Sequence, residues 1–585
     1  MRKALLLFVL ICLLSRVDTW AVCSGSSPTW DCDTTKCDTA AKVQSCIDGA
    51  TAGDVINFAA GAYEWDAQIS ITKSIQLIGA GIGNTNVTST YARSGSGSME
   101  QTQAGVWISP ASGDPIIRLS GMTIAFGAAN YGIIYYNNST TEERTKLRLD
   151  HLDISANYFV FQRYGLAHGV MDNSVIRGRL DISGPLGLWA ANNTVAAYEY
   201  GTASNFYFED NAWDPVSEAA TIFQAGNGPA RYAWRYNTIT LPENVQTSPL
   251  FDQHGNQSAA SCFGAEIYGN NIIGSETDTH NHSLYKQRGG KSLVFYNKAT
   301  HHASGDMSIS IQEEVLDATG PGNATQAYNG QAQHVSDSYY WLNRKNSNAL
   351  NAVPETAAGY YVAYADLGRN VALENYDVWN EDATFDGTTG VGCGALVSRP
   401  ATCTTGVGYW ATNQSCSDLT GMVGANPATP ISGTLYKCTE INTWTSYYTP
   451  YTYPHPLRDS TAPASTITQS DPQAITSDAL TLTGTCTDAV GVTSVKYRLS
   501  SSPDGSNGTA CTGTTSWTCN TGGYSIGAND VYVGCADAAG NWTSPAPHIT
   551  ANFSHPDGAI AFSSPGTGAI TMTPNNSGAI AVTPY

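Results

Sequence analysis

Residues with acid–base or metal-binding chemistry concentrate in one stretch of the sequence, residues 252–334. Six of the 11 histidines lie within 81 residues there: His254, His280, His282, His301, His302 and His334. The same stretch contains these charged residues: Asp252, Glu266, Asp278, Lys286, Arg288, Lys291, Glu313 and Glu314. In an extended strand, residues two apart share a face, so Asp252 and His254 would lie side by side. If the chain performs catalysis, we expect the reaction in this stretch.

A transition-metal site is one interpretation of Asp278, His280 and His282 in the segment DTHNH. These alternate residues share a face if the segment is extended, and carboxylate and imidazole groups bind such metals. The alternative is that the two histidines lie in a solvated loop and hold no metal.

The elements that would position these residues begin with a short helix. Asp38 or Thr39 can cap this helix and Gly49 can end it. Its apolar face would consist of Ala40, Val43 and Ile47. From Val55 the hydrophobic period changes to two, which predicts strands divided by glycines. A capping helix followed by GDVINF, GAY and KSIQLIGAG resembles the N-terminal cap and first rungs of right-handed parallel β-helix proteins of the pectate-lyase type.

A short phrase that begins with Asn or a near equivalent recurs farther along the chain. It starts at Gly121, His151, Asn173, Asn193, Asn211, Asn237, Asn270 and Asn297. The intervals of 18 to 33 residues between starts are typical of stacked rungs with loops of variable length. Stacked rungs would bury a shared core, and the asparagines would form an amide ladder instead of taking part in catalysis. The resemblance to a β-helix extends over residues 38–380.

The resemblance implies cleavage of acidic polysaccharides by a lyase. Parallel β-helix lyases abstract the proton α to a uronate carboxylate with a Lys or Arg base, and a calcium ion held by carboxylates stabilises the enolate. Here Lys286 or Arg288 would be the base, and calcium would be the cofactor. The candidate calcium ligands are Asp278, Glu313 and Glu314. The local motifs that identify the established lyase families are not found, so the resemblance concerns the fold.

A glycoside hydrolase is the second enzyme that the resemblance allows. Such enzymes use paired carboxylates, one as acid and one as base or nucleophile. Asp252 and His254 in DQHGN, with Arg288 in RGGK, resemble part of the polygalacturonase signature. The DD pair of that signature is missing, so hydrolysis ranks below lysis.

Composition excludes several classes of function. The 28 basic and 48 acidic residues give a formal charge of -20, so the sequence does not predict a basic surface that could bind nucleic acid. Charged residues make up only 13% of the chain, and 42% of it is hydrophobic, enough for a large core. Residues 1–21 have the pattern of a secretory signal whose apolar run is too short to span a bilayer. We therefore expect a secreted, extracellular or cell-surface protein without a transmembrane segment.

Beyond the signal, the cysteines form three sets of four, with Cys262 left over. The sets are Cys23, Cys32, Cys37 and Cys46; Cys393, Cys403, Cys416 and Cys438; and Cys486, Cys511, Cys519 and Cys535. In an exported chain each set predicts two disulfides, with three pairings open in each set. Zinc is the rival interpretation, but the sets lack a close CxxC pair. Cys262 is expected to be a buried thiol.

The predicted fold class is all-β. A parallel β-helix with its cap at 22–390 would be followed by a Cys- and Tyr-rich closing region at 391–458. Short alternating strands at 459–553 resemble a bacterial Ig-like β-sandwich, closed by the turn at 537–543. The repeated GAI segments of the tail at 554–585 could add strands to a sheet edge of this molecule or of a neighbour.

Two functions from different classes follow. The 32 tyrosines and 13 tryptophans supply flat faces that stack on sugar rings, which favours binding of an extracellular polysaccharide, with cleavage as a further step. The alternative is a structural surface protein, such as an adhesin, sheath or fibre subunit, that self-assembles through its tail.

Overall fold

The chain forms two compact units, Met1–Arg458 and Asp459–Tyr585. The computed structural model describes residues 23–27, 29–91, 104–110, 116–127, 131–137, 139, 146–165, 168–183, 200–214, 223–225, 230–241, 249–254, 262–275, 277, 279–280, 282–301, 307–312, 335–355, 371–488, 491–505, 507–537 and 539–554. The predicted signal at 1–21, the phrase at Asn193 and the tail from residue 555 lie outside the described residues. No helix of the described part is long and apolar enough to cross a membrane.

A short helix, Ala40–Gly49, follows the first two strands of the first unit, and the sequence predicts this helix. Its buried face consists of Ala40, Val43, Cys46 and Ile47. The Gln44 side chain accepts a hydrogen bond from Ser70 N at 2.8 Å and donates one to Ser70 O at 3.0 Å. These bonds satisfy backbone groups on the edge of the strand Ile69–Ile71, so the helix covers that edge.

A 30-stranded, mostly parallel sheet makes up most of the first unit. Its strands pair in three series. The first series is Thr29–Cys32, Val55–Phe58, Gln76–Gly79, Ile116–Phe126, Lys146–Tyr164, His168–Asp172, Phe206–Glu209, Arg231–Arg235, Gly264–Tyr268, Lys291–Phe295, Ser338–Trp341 and Val378–Asn380. The strand Ser24–Ser26 pairs antiparallel with the first of these.

Two further series run beside the first. The second series is Gly61–Trp65, Thr85–Ser89, Ile116–Phe126, Lys146–Tyr164, Val175–Ser183, Ala212–Trp213, Thr238–Thr240, Asn271–Ile273, Lys298–Thr300 and Arg344–Lys345, with Asn348–Ala349 antiparallel to the last. The third series is Ile69–Ile71, Ala104–Ile108, Tyr131–Tyr136, Lys146–Tyr164, Val175–Ser183, Phe223–Ala225, Phe251–Gln253, His282–Gln287, Met307–Gln312 and Ala352–Glu355. Strands shared between series bend from one to the next, an arrangement compatible with a β-helix-like fold.

Alternate residues of each strand point into one long core. In the first series a continuous row of register partners is fully buried: Leu119, Leu149, Met171, Phe208, Trp234, Ile267, Val294 and Tyr340. One strand alone could not bury such side chains, so each rung depends on its neighbours for stability.

The turn between the first and second series contains the recurring phrase. A residue with positive φ occupies it on successive strands: Gly121, His151, Asn173, Asp210, Tyr236, Gly269, Tyr296 and Leu342. The predicted amide ladder is confirmed in the position that follows, at Asn211, Asn237, Asn270, Asn297 and Asn343. Its side-chain bonds from Nδ2 to the next Oδ1 measure 2.9 to 3.1 Å. Ser174 ends the ladder by donating its N–H to Asn211 Oδ1.

Residues 391–458 cover the outer side of the first series. They form the strands Val391–Gly394, Gly408–Ala411, Thr434–Glu440 and Thr443–Tyr448 and the 3-10 turns Leu396–Ser398 and Pro456–Arg458. Their aromatic residues join a cluster with the first series and its turns: Tyr236, Tyr268, Phe295, Tyr296, Tyr339, Trp341, Trp379, Trp410 and Tyr448. The covering reaches back to Arg148, whose Nη1 donates to Leu457 O at 2.9 Å.

The second unit consists of two sheets around one core. One sheet has the order Ala464–Ile467, Leu480–Thr487, Ser516–Thr521 and Thr512–Gly513. The other has the order Gln473–Ile475, His548–Phe553, Gly527–Asp537, Val492–Leu499 and Thr509–Ala510. The disulfide Cys486–Cys535 joins the two sheets beside the buried Trp517.

The disulfides confirm the prediction of two bonds in each cysteine set. The pairs are Cys23–Cys46, Cys32–Cys37, Cys393–Cys416, Cys403–Cys438, Cys486–Cys535 and Cys511–Cys519. Cys262 is a buried free thiol, also as predicted. Burial raises the pKa of this thiol well above its usual range, which disfavours the thiolate form that a nucleophile needs.

Candidate functional site

Two predicted catalytic residues, His254 and Arg288, lie beside a third, Asp252, on the outer side of the third series. Asp252 lies on the strand Phe251–Gln253, and its Oδ1 is 2.9 Å from Arg288 Nε. The other carboxylate oxygen is 3.6 Å from His254 Nε2. The side chains of Asp252, His254 and Arg288 are 4%, 16% and 17% exposed, so the cluster reaches the surface through His254 and Arg288.

Lys286, the fourth predicted catalytic residue, occupies the same row as Asp252. The two are register partners on adjacent parallel strands, so their side chains leave the sheet on the same side. Asp181 precedes Asp252 in this row by two strands, with position 224 between them. Ser310 follows Lys286 on the next strand. The row therefore places two carboxylates and one ammonium group along one surface.

An aromatic stack occupies outward positions of earlier strands of the third series, where Trp107 is buried and Tyr136 and Tyr164 are half-buried. The rings of Trp107 and Tyr136 stack at 5.2 Å between centroids, and those of Tyr136 and Tyr164 stack at 5.2 Å. Ser183 is the register partner of Tyr164 on the next strand and carries no ring, so the described stack ends at Tyr164. Ile182, Gln253 and Gln287 belong to one row of register partners. The residues that follow them in sequence are Ser183, His254 and Arg288, and Ser183 is the register partner of Tyr164. His254 and Arg288 therefore belong to the row that contains Tyr164.

Buried polar side chains support the cluster from inside the core. Gln253, next to Asp252, accepts a hydrogen bond from Ser292 Oγ at 3.0 Å and another from the Tyr285 hydroxyl. The Gln253 amide donates to Gly289 O at 2.8 Å. Gln287, next to Arg288, donates to Ser338 Oγ at 3.0 Å. These bonds fix the strands that hold Asp252 and Arg288, and sequence reasoning missed them because inward glutamines break the apolar alternation.

The predicted metal ligands are only partly described. Asp278 lies outside the described residues, and so do the proposed calcium ligands Glu313 and Glu314. His282 is buried with its ring 4.6 Å from the ring of His301, in an edge-to-face arrangement. His301 Nε2 donates to the carbonyl oxygen of His280 at 2.9 Å, so in this contact His280 uses its backbone and not its imidazole.

Two groups among the described residues have ligand atoms close enough to hold a metal ion. The first is the N-terminal set of four cysteines, whose sulfurs are already used in disulfides. The second, in the second unit, is Asp459, Asp488 and Asp537, whose carboxylates lie within 4.8 Å of one another. Burial raises the pKa of Asp537, although Asn541 donates two hydrogen bonds to it. Sequence reasoning noticed Asp537 only as part of a turn.

A charged cluster on the outer side of the first series was not predicted. Its carboxylates and arginines are Asp150, Asp172, Glu209, Asp210, Arg118, Arg148, Arg235 and Arg458. Burial raises the pKa of Asp172 to about 6 despite the nearby charge of Arg148. Burial also disfavours the charged form of Glu209. The positive charges of Arg235 and Arg458 outweigh this effect of burial and lower the pKa of Glu209 to about 2.

This charged cluster holds the covering region on the first series. Arg235 donates to Glu209 Oε2 at 2.7 Å and to the carbonyl oxygens of Tyr451 and Thr452 at 2.7 and 2.8 Å. Arg458 donates to Glu209 Oε1 at 2.8 Å. Since the Glu209 side chain is fully buried, we assign the cluster a structural role. Its sequence signal is local, because the alternation Arg148-Leu149-Asp150 places both charges on one side of a strand.

Glu266 lies in the stretch rich in charged residues, but the structure places it on the first series, away from Asp252. Its Oε1 accepts hydrogen bonds from Gly201 N at 2.8 Å and Asn205 Nδ2 at 2.5 Å. Its Oε2 accepts one from the Tyr448 hydroxyl at 2.8 Å. Burial raises the pKa of Glu266 to about 7. We therefore assign Glu266 to the packing of the covering region.

Comparison with protein-family models, with curated proteins and with solved structures found no significant match.

Proposed function

We propose that the first unit is a right-handed parallel β-helix that binds an extended polysaccharide along the outer side of its third series, and that the second unit is an Ig-like spacer. The protein would act outside the cell, where its six disulfides are stable. The observation that supports the proposal is that the half-buried, stacked rings of Tyr136 and Tyr164 and the cluster of Asp252, Arg288 and His254 all occupy the third series. Aromatic rings contact sugar rings, and charged groups bond to hydroxyls and carboxylates.

The other two series suit a glycan less well. Residues 391–458 cover the outer side of the first series. The described outer positions of the second series include charged side chains, as at Arg177 and Lys298, but no aromatic ring. The third series therefore offers the surface on which aromatic and charged side chains combine.

Cleavage of the glycan by a lyase reaction would need a neutral base beside the sugar. Arg288 lies 2.9 Å from Asp252, and because an arginine guanidinium stays charged in proteins, Arg288 suits binding of a sugar carboxylate. Lys286 would then be the base of such a reaction, because an ammonium group loses its proton more readily than a guanidinium. A calcium ion held by Asp278, Glu313 or Glu314 stays part of this proposal.

Affinity electrophoresis in gels containing acidic and neutral polysaccharides tests the binding proposal. We expect the full chain to be retarded by at least one glycan, and Tyr164→Ala to weaken retardation about tenfold. Tyr376→Ala, at a tyrosine that is 64% exposed outside the third series, is the matched control and should bind like the unaltered protein. Equal loss in both variants, or no retardation across the panel, would contradict the proposal.

A further inference from the structure

Two buried histidines meet where the second series passes into the third. His301 follows the strand Lys298–Thr300, and His282 begins the strand His282–Gln287. Their rings are edge to face, with 4.6 Å between the centroids. Two imidazoles that bind one metal ion at about 2.0 to 2.1 Å have ring centroids roughly 4.5 to 5 Å apart. The observed distance between the two rings therefore suits a shared metal ion.

One nitrogen of the His301 ring has a lone pair that is not used in a hydrogen bond. The other nitrogen, Nε2, is 2.9 Å from the carbonyl oxygen of His280, and because a carbonyl only accepts, Nε2 carries the proton. Nδ1 is therefore the unprotonated nitrogen. It is buried, and no described group forms a hydrogen bond with it. Histidines that bind metals typically donate one ring N–H to a carbonyl or carboxylate and bind the ion with the other nitrogen.

A glycine keeps side-chain atoms away from this nitrogen. A Cβ atom on Gly274 would lie 2.6 Å from His301 Nδ1, too close for two atoms that are not bonded. Gly274 N donates to the carbonyl oxygen of Thr300 at 2.7 Å, which fixes the glycine beside the ring. His280, whose carbonyl oxygen contacts the other side of the ring, is exposed, so the path from solvent to the ring is short.

A buried thioether supplies a third donor. Met307 is the register partner of His282 on the next strand of the third series, so the two side chains leave the sheet on the same side. Met307 and His282 are each 2% exposed. An imidazole has two nitrogens, so His282 can keep a hydrogen bond through one and bind an ion through the other. Imidazole binds several transition metals, whereas a thioether is a soft ligand that selects Cu(I).

We propose that His282, His301 and Met307 bind one copper ion, with Nδ1 of His301 as one of its ligands. The ion joins two series of the first unit, because His301 ends a strand of the second series while His282 and Met307 belong to the third. A copper ion held there stabilises the folded chain by mass action, since the unfolded chain does not bring the three donors together. Copper binding at this site is independent of the proposed polysaccharide binding.

Competition with the colorimetric Cu(I) chelator bicinchoninate, in the presence of ascorbate, tests the site. The full chain carries Cys12→Ser and Cys262→Ser, so that neither thiol binds the ion. We expect the protein to withdraw one Cu(I) per chain from the chelator. His301→Ala and Met307→Leu should each weaken this binding at least about tenfold.

Two matched controls and a stability measurement separate the site from other donors. Met171→Leu, at another buried methionine, and His151→Ala, at a 56% exposed imidazole, should bind Cu(I) like the parent protein. Cu(I) should also raise the melting temperature of the parent protein and leave that of Met307→Leu unchanged. Met307→Leu conserves volume, so it decides the result if His301→Ala does not fold.

The other outcomes count against the site. Full binding in His301→Ala, or loss of binding in either control, would place the ion elsewhere. Loss in His301→Ala with full binding in Met307→Leu overturns the thioether ligand and with it the assignment of copper. If the parent protein withdraws no Cu(I) from the chelator, the proposal is wrong, and the polysaccharide binding proposed above is unaffected.

Discussion

Replacing Glu266 with Gln should remove a pH dependence of stability from the first unit. A pKa of about 7 in the folded chain, against a usual value of 4.5, means that the fold resists ionisation of this carboxyl. The stabilisation is complete below about pH 4.5 and is lost as the pH rises through 7. At 1.36 kcal/mol per pH unit, the free energy of unfolding falls by about 3 kcal/mol over this range. Gln is neutral throughout: its Oε1 can keep accepting from Gly201 and Asn205, and its amide N–H can donate to the Tyr448 oxygen, which reverses that bond.

Urea denaturation of both proteins, followed by Trp fluorescence, measures this effect. Relative to the unaltered protein, Glu266→Gln should gain about 2 to 3 kcal/mol of unfolding free energy between about pH 5 and about pH 8. Other titrating groups are common to both proteins and cancel in the comparison. Glu440→Gln, at an exposed carboxylate of the same region, should show no such gain. A constant difference between Glu266→Gln and the unaltered protein at all pH values would refute the buried, protonated state of Glu266.

Three further predictions concern the fold. Asn270→Ala removes a rung of the amide ladder and leaves buried donors without acceptors. It should therefore lower the free energy of unfolding, measured by urea denaturation, by about 3 kcal/mol. Asn271→Ala, at the adjacent outward residue, is the control and should change this free energy little. A double Ser variant that lacks the Cys403–Cys438 disulfide should lose about 3 to 4 kcal/mol of unfolding free energy, because the two cysteines are 35 residues apart. The loss should appear as a lower melting temperature. An unchanged melting temperature would contradict the role of this disulfide in fixing the covering region. Cys262 should react with a thiol reagent only after denaturation, and rapid reaction of the native protein lacking residues 1–21 would contradict its burial.

The recurring phrase was predictable from sequence because it is a local pattern with a physical cause. The turn needs a residue with positive φ, and an amide in the next position bonds to its equivalents on the neighbouring strands. At Gly121, His151 and Asn173 the first residue of the phrase occupies the positive-φ position itself. At these three places the sequence pattern is therefore shifted by one residue from the ladder position. Asn and Gly tolerate this conformation well, so the same residue types occur in both positions.

The candidate site was predictable only in part. The period of two placed Asp252 beside His254, and the two do share a surface. The register that sets Lys286 beside Asp252 depends on the length of the intervening loop, which no local pattern fixes. Contacts such as Glu266 with Tyr448 join residues 182 positions apart, so their partners become known only once the covering region is placed.

The covering of the first series separates the buried charged cluster from the surface that we propose for ligand binding. Asp172, Glu209 and their arginines are sealed beneath residues 391–458, where ion pairs replace water and hold the covering in place. Asp181, Asp252 and Arg288 belong to the third series, where His254 and Arg288 reach solvent. A side chain can act on a glycan only if the sugar can approach it, so the residues of the third series that reach solvent are the ones that suit the proposed binding. The same residue types therefore stabilise one side of the fold and leave the other available for a ligand.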